Sequence, residues 1–170
     1  MTTAATQSGS WHIVTALVEN KPGVLFRVTN LFRARSFNIE SITVGSTEQK
    51  DLSRMTITTN SDERTLDQLV KQLRKLIDVV EVKVLDTEKT VYRELALIKM
   101  KAVDPTTRSE IINYSTIFRG NILDIGKETI TVEITGTPDK IDAFKNLVEP
   151  YGIAQLSRTG VSALPRGVEV

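Results

Sequence analysis

One order of elements occurs twice in this chain of 170 residues. Trp11–Glu19 has apolar residues on both alternating faces, Val14, Ala16 and Val18 on one and Ile13 and Leu17 on the other, which predicts a central strand. Val24, Leu25, Val28, Leu31 and Phe32 then recur at helical spacing. Strands follow over 39–46 and 52–59. Asn60 and Glu63, three apart, read as a capping box for a helix burying Leu66, Leu69, Val70 and Leu73. A strand over 79–85, with Val80, Val82 and Val84 inward, closes the first series. The second begins with a strand over 94–103, and Asp104-Pro105 opens a helix to about Tyr114. Strands over 116–125 and 128–135 flank Gly126-Lys127. A helix from Thr137-Pro138 carries Ile141, Phe144, Leu147 and Val148, and a strand over 153–163 ends the series.

Strand–helix–strand–strand–helix–strand folds most simply as an antiparallel four-stranded sheet with both helices on one face. The expected fold class is therefore α+β, two tandem ferredoxin-like βαββαβ units. Residues 1–10 form a tail, 11–87 the first unit and 88–170 the second. Each sheet would keep one uncovered face and two edge strands. Ile13 and Leu17 on such a face ask for a partner, so an oligomer is expected.

The chemical inventory is short. Twenty-two Lys and Arg against 21 Asp and Glu leave a net charge of +1, without the basic excess of a nucleic-acid binder. With no cysteine, disulfides, thiolate metal sites and thiol nucleophiles are excluded. His12, the one histidine, has no companion for a metal site or a second general acid. No glycine-rich phosphate loop follows a strand. No apolar run reaches membrane-spanning length and the first residues lack a secretion signal, so a cytoplasmic protein is expected, without membrane or nucleic acid as partner.

A binding device is visible instead. Asn20-Lys21-Pro22-Gly23-Val24-Leu25 joins the central strand to a helix start, where unpaired N–H groups and the positive end of the dipole attract a carboxylate. Gly23 permits close approach, Pro22 spends no N–H, and Asn20 offers both a donor and an acceptor. The matching ligand is an α-amino acid; the plain alternative is an ordinary turn with a helix cap. Asn38 and Ile39, entering an edge strand, are candidates to close that pocket from a second chain, Asn38 otherwise being a turn residue.

These residues carry a resemblance. Glu19-Asn20, Pro22 to Leu25, Arg27-Val28, Leu31-Phe32, Asn38 to Ser41, Leu52 to Thr56, Ile117 to Gly120, Ser157 to Val161 and Arg166-Gly167 are similar to the small regulatory subunits of acetolactate synthase (acetohydroxyacid synthase). The first unit resembles an ACT domain. Ser36 departs from the glycine common in that family after the first helix. The resemblance implies a non-catalytic subunit that binds and activates a large catalytic subunit. It also implies feedback inhibition by a branched-chain amino acid, valine favoured, in branched-chain amino-acid (including isoleucine) biosynthesis. Thiamine diphosphate, Mg²⁺ and FAD would belong to the large subunit and none to this chain. The effector would lie in an ACT homodimer, touching Asn20, Pro22, Gly23, Val24 and Leu25 of one chain and Asn38 and Ile39 of the other. In the second unit Asp104 would repel such a carboxylate, leaving that unit to subunit contacts. The alternative is a stand-alone ACT-type amino-acid sensor or transcriptional regulator, although no helix-turn-helix pattern is present. An acylphosphatase-like enzyme on this fold would need an arginine in the turn at Asn20-Lys21-Pro22-Gly23, which supplies none.

Overall fold

A computed structural model describes residues 9–34 and 37–167. Strand β1 (Ser10–Glu19) leads through a turn to helix α1 (Val24–Ala34), then to β2 (Ser41–Ser46) and β3 (Leu52–Ser61). Helix α2 (Glu63–Leu73) and β4 (Val79–Leu85) complete the first sheet, of order β2-β3-β1-β4. Every pairing in it is antiparallel. Alternation along β1, β3 and β4 sends Val14, Ala16, Val18, Met55, Ile57 and Val82 to one face. There they pack with Val24, Val28 and Phe32 of α1 and Leu66, Leu69, Val70 and Leu73 of α2.

The second sheet repeats the plan. It uses β5 (Thr90–Lys101), α3 (Pro105–Ile117), β6 (Asn121–Ile125), β7 (Thr129–Gly136), α4 (Pro138–Val148) and β8 (Ile153–Arg158) in the order β6-β7-β5-β8. Its core joins Ala96, Ile98, Met100, Ile130, Val132 and Ile134 to Ile111 of α3 and Ile141, Phe144 and Val148 of α4. Arg158 reaches from β8 to Glu94 of β5 and, at 2.6 Å, to Asp142 of α4. Both sheets are thus ferredoxin-like. Among the described residues no helix is long and apolar enough to cross a membrane.

The two compact units are not divided where the pattern suggested. One comprises the chain up to Val91 together with the residues from Val161 onward, and the other is Tyr92–Gly160. The final strand expected over 153–163 ends at Arg158. Gly160 takes a positive φ of 82° and turns the chain into a separate short strand, β9 (Ser162–Pro165). This tail runs over the outer face of the first sheet. Thr43 Oγ1 donates to the Val161 carbonyl at 2.6 Å, the Val161 N–H donates to Ser41 Oγ at 3.4 Å, and Val161 and Ala163 are buried. Ser41 and Thr43 lie in the cross-strand rows that continue through β3 to Ile13 and Thr15.

Several expectations are corrected. Ile13 is fully buried within the single chain and asks for no second copy; Leu17 stays half-buried. Of the three valines of β4 expected to point inward only Val82 is buried. Val80 and Val84 are 60% and 45% exposed, because β4 is an edge strand. The cap of α2 is Asp62, whose side chain accepts from Thr65 N at 2.7 Å, while Asn60 still pairs with Trp11 inside β3. Thr116 and Ile117 belong to α3 and not to a strand. The helix stops at Arg119 (φ 53°) and Gly120, whose N–H donates to Ser115 O at 2.7 Å. A Cβ on Gly120 would collide with the Ile134 side chain and lie 2.9 Å from the Glu133 carbonyl. The tail residues 1–8 and the Ser36 position lie outside the described residues.

Burial sets the expected cost of truncation. Phe144 is fully buried in the second core and makes an edge-on ring contact with Phe118. Phe144→Ala is expected to lower the unfolding free energy by about 3–5 kcal/mol. Phe26→Ala, at a side chain 71% exposed, is expected to change it by less than about 0.5 kcal/mol. Urea unfolding of the two variants checks both.

Candidate functional site

The turn between β1 and α1 is fixed on both flanks by backbone. Glu19 N–H donates to Asp78 O at 2.9 Å, and Asn20 N–H donates to Asp51 O at 2.8 Å. Gly23 then takes φ 86°, in the left-handed region that glycine enters at no steric cost. The Val24 N–H reaches Lys21 O at 3.4 Å and Arg27 N–H closes on Gly23 O at 3.0 Å. The N–H groups of Gly23, Leu25 and Phe26 have no acceptor among the described residues. A helix mouth in this state binds an anion through N–H donors and the dipole together. Asn20, Pro22 and Gly23 are exposed, Leu25 is half in solvent, and Val24 is buried as part of the core.

The other helix starts differ. The Asp62 carboxylate sits at the mouth of α2. Asp104 holds that of α3 through Thr107 N at 2.9 Å and Thr107 Oγ1 at 2.7 Å. These bonds hold both carboxyls below their ordinary value: for Asp62 the Thr65 backbone bond first, for Asp104 the Thr107 hydroxyl bond first. Each mouth is thus occupied by an anion of the chain itself. At α4, Thr137 makes no side-chain cap bond, and Pro138 in the first turn removes one donor.

Asn38 and Ile39 lie elsewhere in the same unit. The Asn38 carbonyl accepts from Thr59 Oγ1 at 2.7 Å. Thr59 stands opposite His12, and Leu52 opposite Glu19. Seven residues of extended β1 therefore separate the two ends, roughly 23 Å at about 3.3 Å per residue. One chain does not bring Asn38 to Asn20. Ile39 packs on the edge of the first core, and Asn38 is exposed.

Sequence reasoning missed two residues here. Arg27, one turn into α1, donates through Nε and Nη2 to Asp78 at 2.6 and 2.8 Å, while Lys21 pairs with Glu19 at 2.9 Å. Asp78 is buried before β4. A Cβ placed on Gly23 would meet only Arg27 Nη1, at 3.4 Å, so the Arg27–Asp78 pair forms the wall beside the mouth. Nothing local in the sequence linked positions 27 and 78. Among the described residues no group of three or more acidic or histidine side chains is placed to hold a metal. His12 Nε2 lies 2.9 Å from Ser10 Oγ and 3.1 Å from Ser61 O, tied to its own strand and the next.

The Arg27 hydrogen bond holds the Asp78 carboxyl below its ordinary value. A depressed carboxylate pKa adds stability above the unfolded value, about 3.9, and the gain is lost as pH falls through the folded value. Asp78→Asn is therefore expected to melt below the parent chain at pH 7. The gap should close as pH drops below about 4; paired thermal melts from pH 7 to 2.5 measure it.

Comparison with known proteins agrees with this geometry over nearly the whole chain. Residues 14–81 match the model described as the AHAS small subunit-like ACT domain, and residues 93–167 match that for the small subunit of acetolactate synthase. The chain is 53% identical to a probable acetolactate synthase small subunit of Methanothermobacter thermautotrophicus, over 92% of this chain and 93% of that one. It is 48% identical to the acetolactate synthase small subunit of Mycolicibacterium smegmatis, over 92% and 91%. The crystal structure of the acetolactate synthase small subunit from Thermotoga maritima superposes with a TM-score of 0.86 at 42% identity, covering 94% of this chain and 99% of that one. With both units matched and the relatives covered almost end to end, the chain belongs to the acetolactate synthase small-subunit family, a family of ACT-domain regulatory subunits.

Proposed function

We propose that this protein is the non-catalytic regulatory subunit of an acetolactate synthase. In this reading it binds and activates a large catalytic subunit that carries thiamine diphosphate, Mg²⁺ and FAD, and acts in the cytoplasm. It makes that enzyme sensitive to feedback by a branched-chain amino acid, valine favoured. The open mouth of α1 carries the reading. The free N–H groups of Gly23, Leu25 and Phe26 take the effector carboxylate, and Asn20 takes part in holding the ammonium.

The distance between Asn38 and Asn20 supports a shared pocket. Both sets of residues can touch one small ligand only if Asn38 and Ile39 come from a second copy paired through the ACT unit. An effector bound across two chains favours the paired arrangement, and coupling of about 1–3 kcal/mol changes the partner's behaviour roughly 5- to 150-fold. Valine and isoleucine differ by one methylene, worth only about 1–3 kcal/mol in a fitted pocket, so their order is a matter for measurement.

Calorimetry with valine, isoleucine and leucine on the intact chain tests the effector site. Saturable binding of at least one is expected, with loss in Gly23→Asp, which sets a carboxylate at the mouth. Heat from none of the three, or an unchanged Gly23→Asp, removes the site. Co-purification with a large subunit, followed by turnover with and without valine, tests the regulatory role: activation and inhibition are both expected.

A further inference from the structure

On the face of the first sheet away from the helices, a cavity of about 350 Å³ is lined by Arg54, Thr56, Thr43, Ser46, Glu48 and Ser162, among others. Its floor follows from strand alternation. Met55 faces the helices as part of the core, so its neighbours Arg54 and Thr56 face the other way. Arg54 stands opposite Gly45 on β2, where a Cβ would meet nothing within 4 Å. The wall comes from β9.

Arg54 and Thr56 line this cavity without partners of their own among the described residues. Arg54 is partly buried, yet its guanidinium makes no ion pair or hydrogen bond with any described residue. Arg27 is engaged by Asp78, Arg158 by Glu94 and Asp142, and Arg108 by three backbone carbonyls, whereas Arg33, Arg64, Arg119 and Arg166 bond no described residue through their side chains but are exposed. Thr56 is 3% exposed and its hydroxyl has no hydrogen bond, whereas the Thr43 hydroxyl is spent on Val161. A partly buried guanidinium with no partner, beside a hydroxyl that bonds nothing, leaves donors free for an acceptor that enters the cavity.

We propose that this cavity is a binding site for a singly charged oxyanion, a carboxylate or a phosphodiester, gripped by the Arg54 fork and the Thr56 hydroxyl. The guanidinium offers parallel N–H donors that match two oxygens of such a group. Glu48 at the rim repels a second negative charge, which sets the preference for a monoanion. The site lies on the opposite face of the sheet from α1 and is independent of the effector mouth at Gly23.

Amide NMR of the full chain, titrated with sodium acetate or with dimethyl phosphate at constant ionic strength in chloride, tests it. Saturable shifts are expected at residues 43–46 and 54–56, retained in Gly23→Asp. Arg54→Gln is expected to weaken the response about tenfold or more, as for loss of a charge-assisted hydrogen bond. Thr56→Val, of nearly equal shape, should weaken it several-fold and serves alone if Arg54→Gln fails to fold. Acetate alone identifies a carboxylate site, dimethyl phosphate alone a phosphodiester site, and both an oxyanion site tolerant of shape. No saturable shift from either anion, or shifts undiminished in the folded variants, overturns the proposal.

Discussion

Strand β1 is paired on both sides, with β3 over its full length and with β4 over most of it. Much else in the first unit hangs on that double pairing. It buries Val14, Ala16 and Val18 against two helices and fixes where the chain leaves the sheet. Because Glu19 and Asn20 bond to Asp78 and Asp51 on the two flanking segments, the turn into α1 starts from a rigid platform. The helix mouth inherits that rigidity, so the effector site proposed there needs no prior ordering of the backbone.

Several charges in this chain are absorbed by structure. Arg27 and Asp78 tie α1 to the segment before β4, and Arg158 bridges two carboxylates in the second unit. Asp62 and Asp104 close helix mouths. Among the donors left unengaged are backbone N–H groups at α1 and the Arg54 fork on the opposite face, both suited to holding a ligand.

Much of this was legible in the order of residues. Period-two and period-3.6 patterns placed both βαββαβ units, and Pro22-Gly23 marked the turn where a positive φ is required. Edge elements were less legible. Val80 and Val84 alternate like inward residues, but a pattern records which side of the sheet a residue takes and not whether a helix reaches that far. Ile117 to Gly120 looked extended because Phe118 and Ile117 suit a strand, whereas the helix runs on until Gly120 meets Ile134. Asn60 resembles a cap at a position that the ladder with Trp11 keeps in β3.

The sequence alone determined the order of strands and helices in both units and the turn at Pro22-Gly23, since each depends on neighbours within a few positions. Only the tertiary structure decided that Arg27 meets Asp78, that the tail after Gly160 covers the face bearing Ile13, that Asn38 stands a whole strand away from Asn20, and that Arg54 is left without a partner. These facts join residues dozens of positions apart, or record a partner that never arrives. Periodicity carries no information about either, because it reports the direction of a side chain and not what the folded chain brings in front of it.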